Sequence, residues 1–97
     1  MRIVSKKTLR EFYIQYKDSQ SSLESWHQEM LKSNFSNSNE IKEKYKSASI
    51  IGDNKIIFNI CGNKYRLIVK INYLANIIFI KFIGTHKQYD KIDVKKL

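Results

Sequence analysis

A chain of 97 residues is long enough for one domain with its own core and too short for two, so we expect residues 1–97 to form a single domain. The single cysteine excludes an internal disulfide and a cysteine-rich metal motif, and the lack of a long apolar span predicts a cytoplasmic protein without membrane contact. The formal net charge of +9 lies mainly in residues 55–97, which hold nine Lys or Arg against two Asp or Glu and favour a phosphate-rich partner.

The N-terminal residues predict a short strand followed by a helix. Arg2 to Val4 is an apolar entry that could pair in a sheet. Ser5 comes next and is a plausible N-cap, because its hydroxyl can accept from the first backbone N–H groups of a helix. The helical spacing i, i+3, i+4 and i+7 is then occupied by Leu9, Phe12, Tyr13 and Tyr16.

Two further helices are predicted before residue 50. Capping-box spacing at Ser21–Glu24 introduces a second helix whose apolar stripe is Leu23, Trp26, Met30 and Leu31. Trp26 is expected in the core, and His27 beside the stripe is expected on the helix surface. The same spacing at Asn37–Glu40 predicts a short third helix from about Ser38 to Lys46.

The second half changes to a strand-like pattern. Three β-branched and aromatic runs, at Lys55–Cys61, Lys64–Tyr73 and Ile77–Ile83, are separated by short turns. Cys61 is expected to be a small buried side chain in the first of them. Consecutive strands with short connections predict an antiparallel meander, and the preceding helices must cover one of its faces. The fold class is therefore α+β, with two layers.

The middle strand separates an apolar face from a basic one. Alternation places Tyr65, Leu67, Val69 and Ile71 towards the helices. The opposite surface receives Lys64, Arg66, Ile68, Lys70 and Asn72, three of which are cations. Alternate residues of a strand lie about 6.6 Å apart, close to the spacing of successive nucleic-acid phosphates. The chain has fifteen lysines and three arginines, and a nucleotide bias in the coding genome is an alternative explanation of its overall positive charge. That alternative does not explain Arg66 within an apolar strand.

Acid-base groups gather only in the closing segment Gly84–Ile92, directly after the third strand. It contains one imidazole, one phenol, one carboxylate and two ammonium groups: His86, Tyr89, Asp90, Lys87 and Lys91. If the protein is an enzyme, its site is expected here, beside Arg66. A lone carboxylate is a poor Mg²⁺ site, so we expect no metal and no cofactor.

Several motifs in order resemble the HigB toxins of bacterial type II toxin-antitoxin systems. They are Ser47–Ile50, Phe58–Ile60, Gly62–Leu67, Ile71–Tyr73 and Gly84–Ile92, and the similarity runs from Arg2 through Ile92. The chain departs from the family pattern at Lys46, where Pro is expected at the start of a loop.

The resemblance implies a RelE-like fold. That fold has a short N-terminal strand, two to three helices packed on an antiparallel three- to four-stranded sheet, and a short C-terminal helical segment. The resemblance also implies an endoribonuclease that cuts mRNA in the ribosomal A site. Its implied partner is a HigA-type helix-turn-helix antitoxin, through which the pair contacts operator DNA.

Chemistry suggests roles for individual residues in such a reaction. An imidazole ordinarily titrates near pH 6.5, which makes His86 the first choice for general acid or base. The planar guanidinium of Arg66 suits the scissile phosphate. Asp90 would orient His86 or Lys91, Tyr89 would stack on a base or bond the phosphate, and Lys91 would stabilise charge or donate a proton. Contacts to the RNA backbone are expected from Lys64, Lys70, Lys81 and Lys87.

Each role has a structural alternative. His86 could simply cap the terminal segment, Tyr89 and Ile92 could form the apolar side of a closing helix, and Arg66 could pair with Asp90 on the surface. Two other functions also stay open. One is a non-catalytic inhibitor of the same fold, like the gyrase-directed ParE toxins, and the other is a plain nucleic-acid-binding module.

Overall fold

The computed structural model describes residues 1–52 and 54–97. Over these residues the chain forms an α+β fold with four α-helices and a five-stranded mixed sheet. The helices are α1 (Lys6–Gln15), α2 (Gln20–Lys32), α3 (Ser38–Lys44) and α4 (His86–Asp90), with 3-10 helices at Lys17–Ser19 and Val94–Lys96. The strands are β1 (Arg2–Val4), β2 (Ser49–Ile51), β3 (Lys55–Ile60), β4 (Tyr65–Asn72) and β5 (Ile77–Thr85).

The strand order in the sheet is β1-β5-β4-β3-β2. The predicted antiparallel meander of β3, β4 and β5 is confirmed. Two short edge strands extend it: β2 pairs antiparallel with β3, and β1 pairs parallel with β5. The parallel pairing makes the sheet mixed, where an antiparallel sheet of three to four strands was expected. The physical reason is that β5 reaches β1 only after a long connection, through the helices and the strands β2 to β4, and a parallel pair requires a long connection.

The main core lies between α1, α2, α3 and one face of the sheet. Leu9 and Phe12 of α1 and Trp26 of α2 are buried in it, as expected from their spacing. The inward face predicted for the middle strand is also confirmed, since Tyr65, Leu67, Val69 and Ile71 are all buried in the same cluster.

The buried stripe of α2 differs from the predicted one by one position. His27 is only 6% exposed, whereas Leu31 is 44% exposed. The expectation that His27 lies on the helix surface is therefore wrong. The buried stripe has the i, i+3, i+4, i+7 spacing that α1 also shows, and consists of Leu23, Trp26, His27 and Met30. His27 is buried because α1 covers the side of α2 on which it lies. Burial, and secondarily the charge of Lys6, lower the pKa of His27.

The helix starts only partly follow the predicted caps. Ser5 precedes α1, but its backbone is left-handed at φ 76° and its side chain makes no cap bond. The helix α2 continues directly from the 3-10 helix at Gln20, so the Ser21 motif does not begin it. Asn37 does cap α3, because its Oδ1 accepts the Glu40 backbone N–H at 3.1 Å.

Cys61 lies in the β3–β4 turn and is half-buried, which corrects the expectation of a buried strand residue. Its φ of 56° and that of Gly62, 68°, reverse the chain. No helix within the described residues combines the length and apolar character needed to cross a bilayer.

Candidate functional site

The junction between β5 and α4 positions the closing segment. The Thr85 hydroxyl accepts the Gln88 backbone N–H at 3.2 Å, and Gln88 Oε1 accepts the Thr85 backbone N–H at 2.9 Å. This reciprocal capping box fixes where the helix begins. His86 is consequently the first residue of α4, immediately after the strand.

Gly84 allows the helix to pack closely against the strand. It lies opposite Arg66 in the sheet. A Cβ atom at this position would be 2.6 Å from Cζ of Phe82 and 2.7 Å from Oε1 of Gln88. Both distances are shorter than van der Waals contact, so a Cβ atom here would force the Phe82 ring and the Gln88 side chain, which closes the capping box, to shift.

Four side chains meet at this junction, and we call them the acid-base cluster: Arg66, His86, Tyr89 and Asp90. His86 Nδ1 lies 3.1 Å from Asp90 Oδ2, within hydrogen-bonding distance. The Tyr89 ring centroid is 6.3 Å from that of His86 and 5.9 Å from Cζ of Arg66. The structure thus brings together the predicted imidazole, carboxylate, phenol and guanidinium.

The hydrogen bonds leave two groups of the cluster available for a substrate. With Nδ1 on Asp90, the other ring nitrogen of His86 has no hydrogen-bond partner among the described residues, and the His86 side chain is 54% exposed. Arg66 donates to the backbone oxygen of Asn63 at 3.0 Å, and within the described part of the chain no carboxylate pairs with it. The alternative of an Arg66–Asp90 salt bridge is therefore wrong, because Asp90 pairs with His86.

Lys64 does not belong to the basic face as expected. Its ammonium forms an ion pair with Asp18 of the first 3-10 helix, and Tyr65 donates to the same carboxylate at 2.5 Å. Lys64, and then Tyr65, hold the pKa of Asp18 below its usual value. The physical reason is that β4 begins at Tyr65, so Lys64 lies in the turn and escapes the alternation of the strand.

The outer sheet face is not one continuous basic surface. Ile57, Ile68 and Phe82 form an adjacent row across it, and Ile68 is 0% exposed. The segment after α4 folds over this face, where the ammonium of Lys55 donates to the backbone oxygens of Val94 and Lys95 at 3.3 and 3.2 Å. Arg66 is therefore separated from Lys70 by a covered apolar row.

The remaining predicted lysines are exposed. Lys87 lies on α4 and Lys91 at its C-terminal end, both beside the acid-base cluster in sequence. Lys70 and Lys81 lie instead towards the other end of the outer face, next to Phe79. Their contacts to RNA stay predictions.

Sequence reasoning missed two features that hold the site. The spacing Thr-x-x-Gln at Thr85–Gln88 is a capping-box pattern and could have been found. The buried Lys55, 5% exposed, has no recognisable signal, because its partners are backbone oxygens far along the chain. Within residues 1–52 and 54–97, no three His, Cys, Asp or Glu side chains are grouped as metal ligands would be.

Comparison with protein families agrees with this architecture. A family model described as the HigB toxin, a RelE-like toxic component of a toxin-antitoxin system, matches residues 19–92. No curated protein matches the chain significantly. Since the matched region runs from α2 through α4 and contains the whole acid-base cluster, the chain belongs to the HigB toxin family: it has a RelE-like fold, is the toxic component of a toxin-antitoxin system, and has an antitoxin as its partner.

Proposed function

We propose that this toxin is a metal-independent endoribonuclease that cuts translated mRNA in the ribosomal A site. The acid-base cluster carries the proposal. It places an imidazole that contacts a carboxylate beside a guanidinium free of carboxylate partners among the described residues. A protein that only bound its target would not require that arrangement.

The proposed reaction is attack of a ribose 2′-oxygen on the adjacent phosphorus. The new O2′–P bond forms as the P–O5′ bond breaks, which leaves a 2′,3′-cyclic phosphate and a 5′-hydroxyl. One group must take the 2′-OH proton and another must protonate the leaving 5′-oxygen. His86 performs one of these transfers through its unpartnered ring nitrogen, while Asp90 holds the opposite nitrogen and so orients the ring.

The other residues act on charge and position. Arg66 binds the phosphate through its planar fork and stabilises the additional negative charge of the pentacoordinate transition state. Tyr89 holds a base or the phosphate beside it. Lys91 supplies further positive charge or the second proton, and Lys87 contacts the RNA backbone.

Dependence on the ribosome follows from the exposure of the cluster. The side chains of His86 and Asp90 are 54% and 58% exposed, so the toxin itself provides little that would align an RNA strand. The ribosome supplies that alignment by presenting a codon in a defined geometry. The antitoxin is proposed to be of the HigA type, with a helix-turn-helix domain that alone contacts operator DNA, and the pair acts in the cytoplasm.

Substitution of His86 and Arg66 tests the proposal. We expect His86→Ala to slow mRNA cleavage by about 100-fold or more, because one proton transfer loses its catalyst. Arg66→Lys keeps the charge but loses the fork, and should retain only part of the rate. The measurement is primer extension on an induced transcript, with the 5′-hydroxyl of the product detected by direct enzymatic phosphorylation.

Lys7→Ala provides the control, since Lys7 is an exposed residue of α1 paired only with Glu11 at 3.7 Å. Unchanged cleavage by both His86→Ala and Arg66→Ala would refute the site. Growth arrest without codon-associated RNA ends would instead indicate a non-catalytic inhibitor of the same fold.

A further inference from the structure

An exposed groove lies on the outer face of the sheet, at the end away from the acid-base cluster. Its volume is about 370 Å³, and its walls include Asn54, Lys70, Asn72, Leu74 and Phe79. We call it the Phe79 groove. It is formed where the β4–β5 hairpin turns, and Leu74 at the tip of that turn is fully exposed.

Phe79 lies on the outer face and not in the main core. It is aligned with Lys70 of β4 on one side and with Val4 of β1 on the other. The neighbouring core residues of β5, Ile78 and Ile80, point to the helices, whereas Phe79 is half-buried and is not part of that cluster. Its ring is thus an apolar surface on the outer face, outside the main core.

Cations surround this ring. The ammonium of Lys81 lies 5.9 Å from its centroid, and Lys70 is directly opposite on the next strand. Arg2 is two register positions away, aligned with Ile77. Among the described residues none of these three cations pairs with a carboxylate, and none of those that line the groove is acidic.

The groove also offers a free hydrogen-bonding group. Asn72 Oδ1 accepts the backbone N–H of Ala75 at 3.0 Å, which fixes the side-chain amide. The amide nitrogen of Asn72 has no partner within the described part of the chain. An oriented amide beside an aromatic ring can bond the edge of a stacked base.

We propose that the Phe79 groove binds single-stranded RNA by stacking an unpaired base on Phe79, while Lys70 and Lys81 hold the flanking phosphates. The inference rests on the proposed function, because it takes the substrate to be RNA. Aromatic rings accept bases that are splayed from their neighbours, and the lysines bind phosphate without regard to sequence.

The distance from the Phe79 groove to the acid-base cluster determines how many nucleotides separate the two contacts on the RNA. Lys70 follows Arg66 by four residues of β4, which is about 13 Å along the strand. That length corresponds to roughly two nucleotides of an extended chain. The base on Phe79 is therefore at least about two nucleotides from the phosphate held by Arg66, because a strand that passes the covered centre of the face follows a longer path.

Binding is tested with the purified toxin and a fluorescein-labelled 2′-O-methyl uridine hexamer, which cannot be cleaved because its 2′-oxygen is blocked. Fluorescence anisotropy gives the affinity. We expect Phe79→Leu, which keeps an apolar side chain but removes the ring, to weaken binding about fivefold or more. Lys70→Gln and Lys81→Gln should each reduce the slope of log affinity against log salt by about one.

Length and strandedness provide the internal controls. A 2′-O-methyl dinucleotide is too short to span from Arg66 to Phe79, so it should bind more weakly than the hexamer, and its remaining affinity should still fall in Phe79→Leu. Lys7→Gln on α1 should leave hexamer binding unchanged. Thermal unfolding of each variant confirms that it is folded.

The result that overturns the proposal is hexamer binding by folded Phe79→Leu at wild-type affinity. Absence of hexamer binding by the wild-type toxin at low salt, or equal competition by a fully paired duplex, also overturns it. If Phe79→Leu loses affinity only for the antitoxin, the groove is a protein interface and the RNA assignment is wrong.

Failure here and failure of the proposed function give different results. The hexamer assay contains no cleavage step, so it reports on the groove whether or not the acid-base cluster is catalytic. If His86→Ala and Arg66→Ala still cut mRNA while Phe79→Leu loses hexamer binding, the catalytic assignment is wrong and RNA binding by the Phe79 groove is supported.

Discussion

At the scale of single residues, the partner of each charged side chain decides what it can do. Lys64 pairs with Asp18 of the first 3-10 helix, and Asp90 pairs with His86. Arg66 is left with backbone oxygens and an aromatic ring, so its guanidinium remains available to an anion. Ion-pairing thus divides similar cations into those with structural roles and those free to bind phosphate.

The buried His27 should make stability depend on pH near neutrality. Burial lowers its pKa from 6.5 in the folded chain, so the unfolded chain binds the proton more readily. Its contribution is fully present above pH 6.5 and is lost as the pH falls through the lowered folded value. Urea unfolding between pH 5 and 7.5 should therefore show the wild type losing stability as the pH falls.

His27→Gln is the informative comparison, because glutamine is polar but does not titrate. The stability of this variant should vary less than that of the wild type across the same pH range. All other residues are the same in both proteins, so the difference between the two pH curves reports on His27. Parallel pH curves for the two proteins would show that His27 is not the group responsible.

At the scale of elements, the β5–α4 junction is the structural basis of the site. The Thr85–Gln88 capping box fixes the first turn of α4, and Gly84 lets that turn lie against the strand. Because α4 is only five residues long, its own hydrogen bonds cannot keep it helical without these contacts. The geometry of the His86–Asp90 pair depends on them.

Gly84→Ala should destabilise the protein by about 1–3 kcal/mol, because the added methyl group overlaps Phe82 and Gln88. The same change displaces α4 and should reduce mRNA cleavage more than the loss of folded protein explains. Urea unfolding and the primer-extension assay measure the two effects. Gly52→Ala is the matched control, since no described residue lies within 4 Å of its added Cβ; equal stability of the two variants would contradict the steric argument.

At the scale of the whole molecule, the end of the chain is tied back across the sheet. Lys55 at the start of β3 donates to the Val94 and Lys95 backbone oxygens, and the apolar row around Ile68 lies beside that contact. The outer face consequently has two exposed parts, the acid-base cluster at one end and the Phe79 groove at the other. An RNA strand bound to both would have to pass this covered centre.

Lys55→Met should lower the free energy of unfolding by about 1–3 kcal/mol, because two carbonyl oxygens lose their hydrogen-bond donor. Lys55→Arg can still donate and should recover part of the loss. Urea unfolding measures stability, and amide hydrogen exchange at Lys95 and Lys96 reports release of the tail. The exposed Lys46→Met serves as control; unchanged exchange in Lys55→Met would show that the tail is held by other contacts.

Much of the fold could be predicted, because it follows from local periodicity. The stripe on α1, the inward face of β4 and the meander each depend on spacing within a few residues. The capping contacts could be predicted only in part, since Asn37 caps α3 while Ser5 adopts a left-handed backbone and caps nothing. The failure at Ser5 reflects how β1 must turn into α1, which no local pattern encodes.

The sequence by itself determined the α+β class, the family resemblance and the residues that carry acid-base chemistry, because composition, order and spacing are properties of the chain. Only the tertiary structure decided which groups meet. It placed Arg66 of β4 beside Tyr89 of α4, removed Lys64 from the basic face, buried His27 and tied the end of the chain across the outer face through Lys55. Each of these outcomes joins elements distant in sequence, and packing and hydrogen bonding between such elements depend on the arrangement of the whole chain.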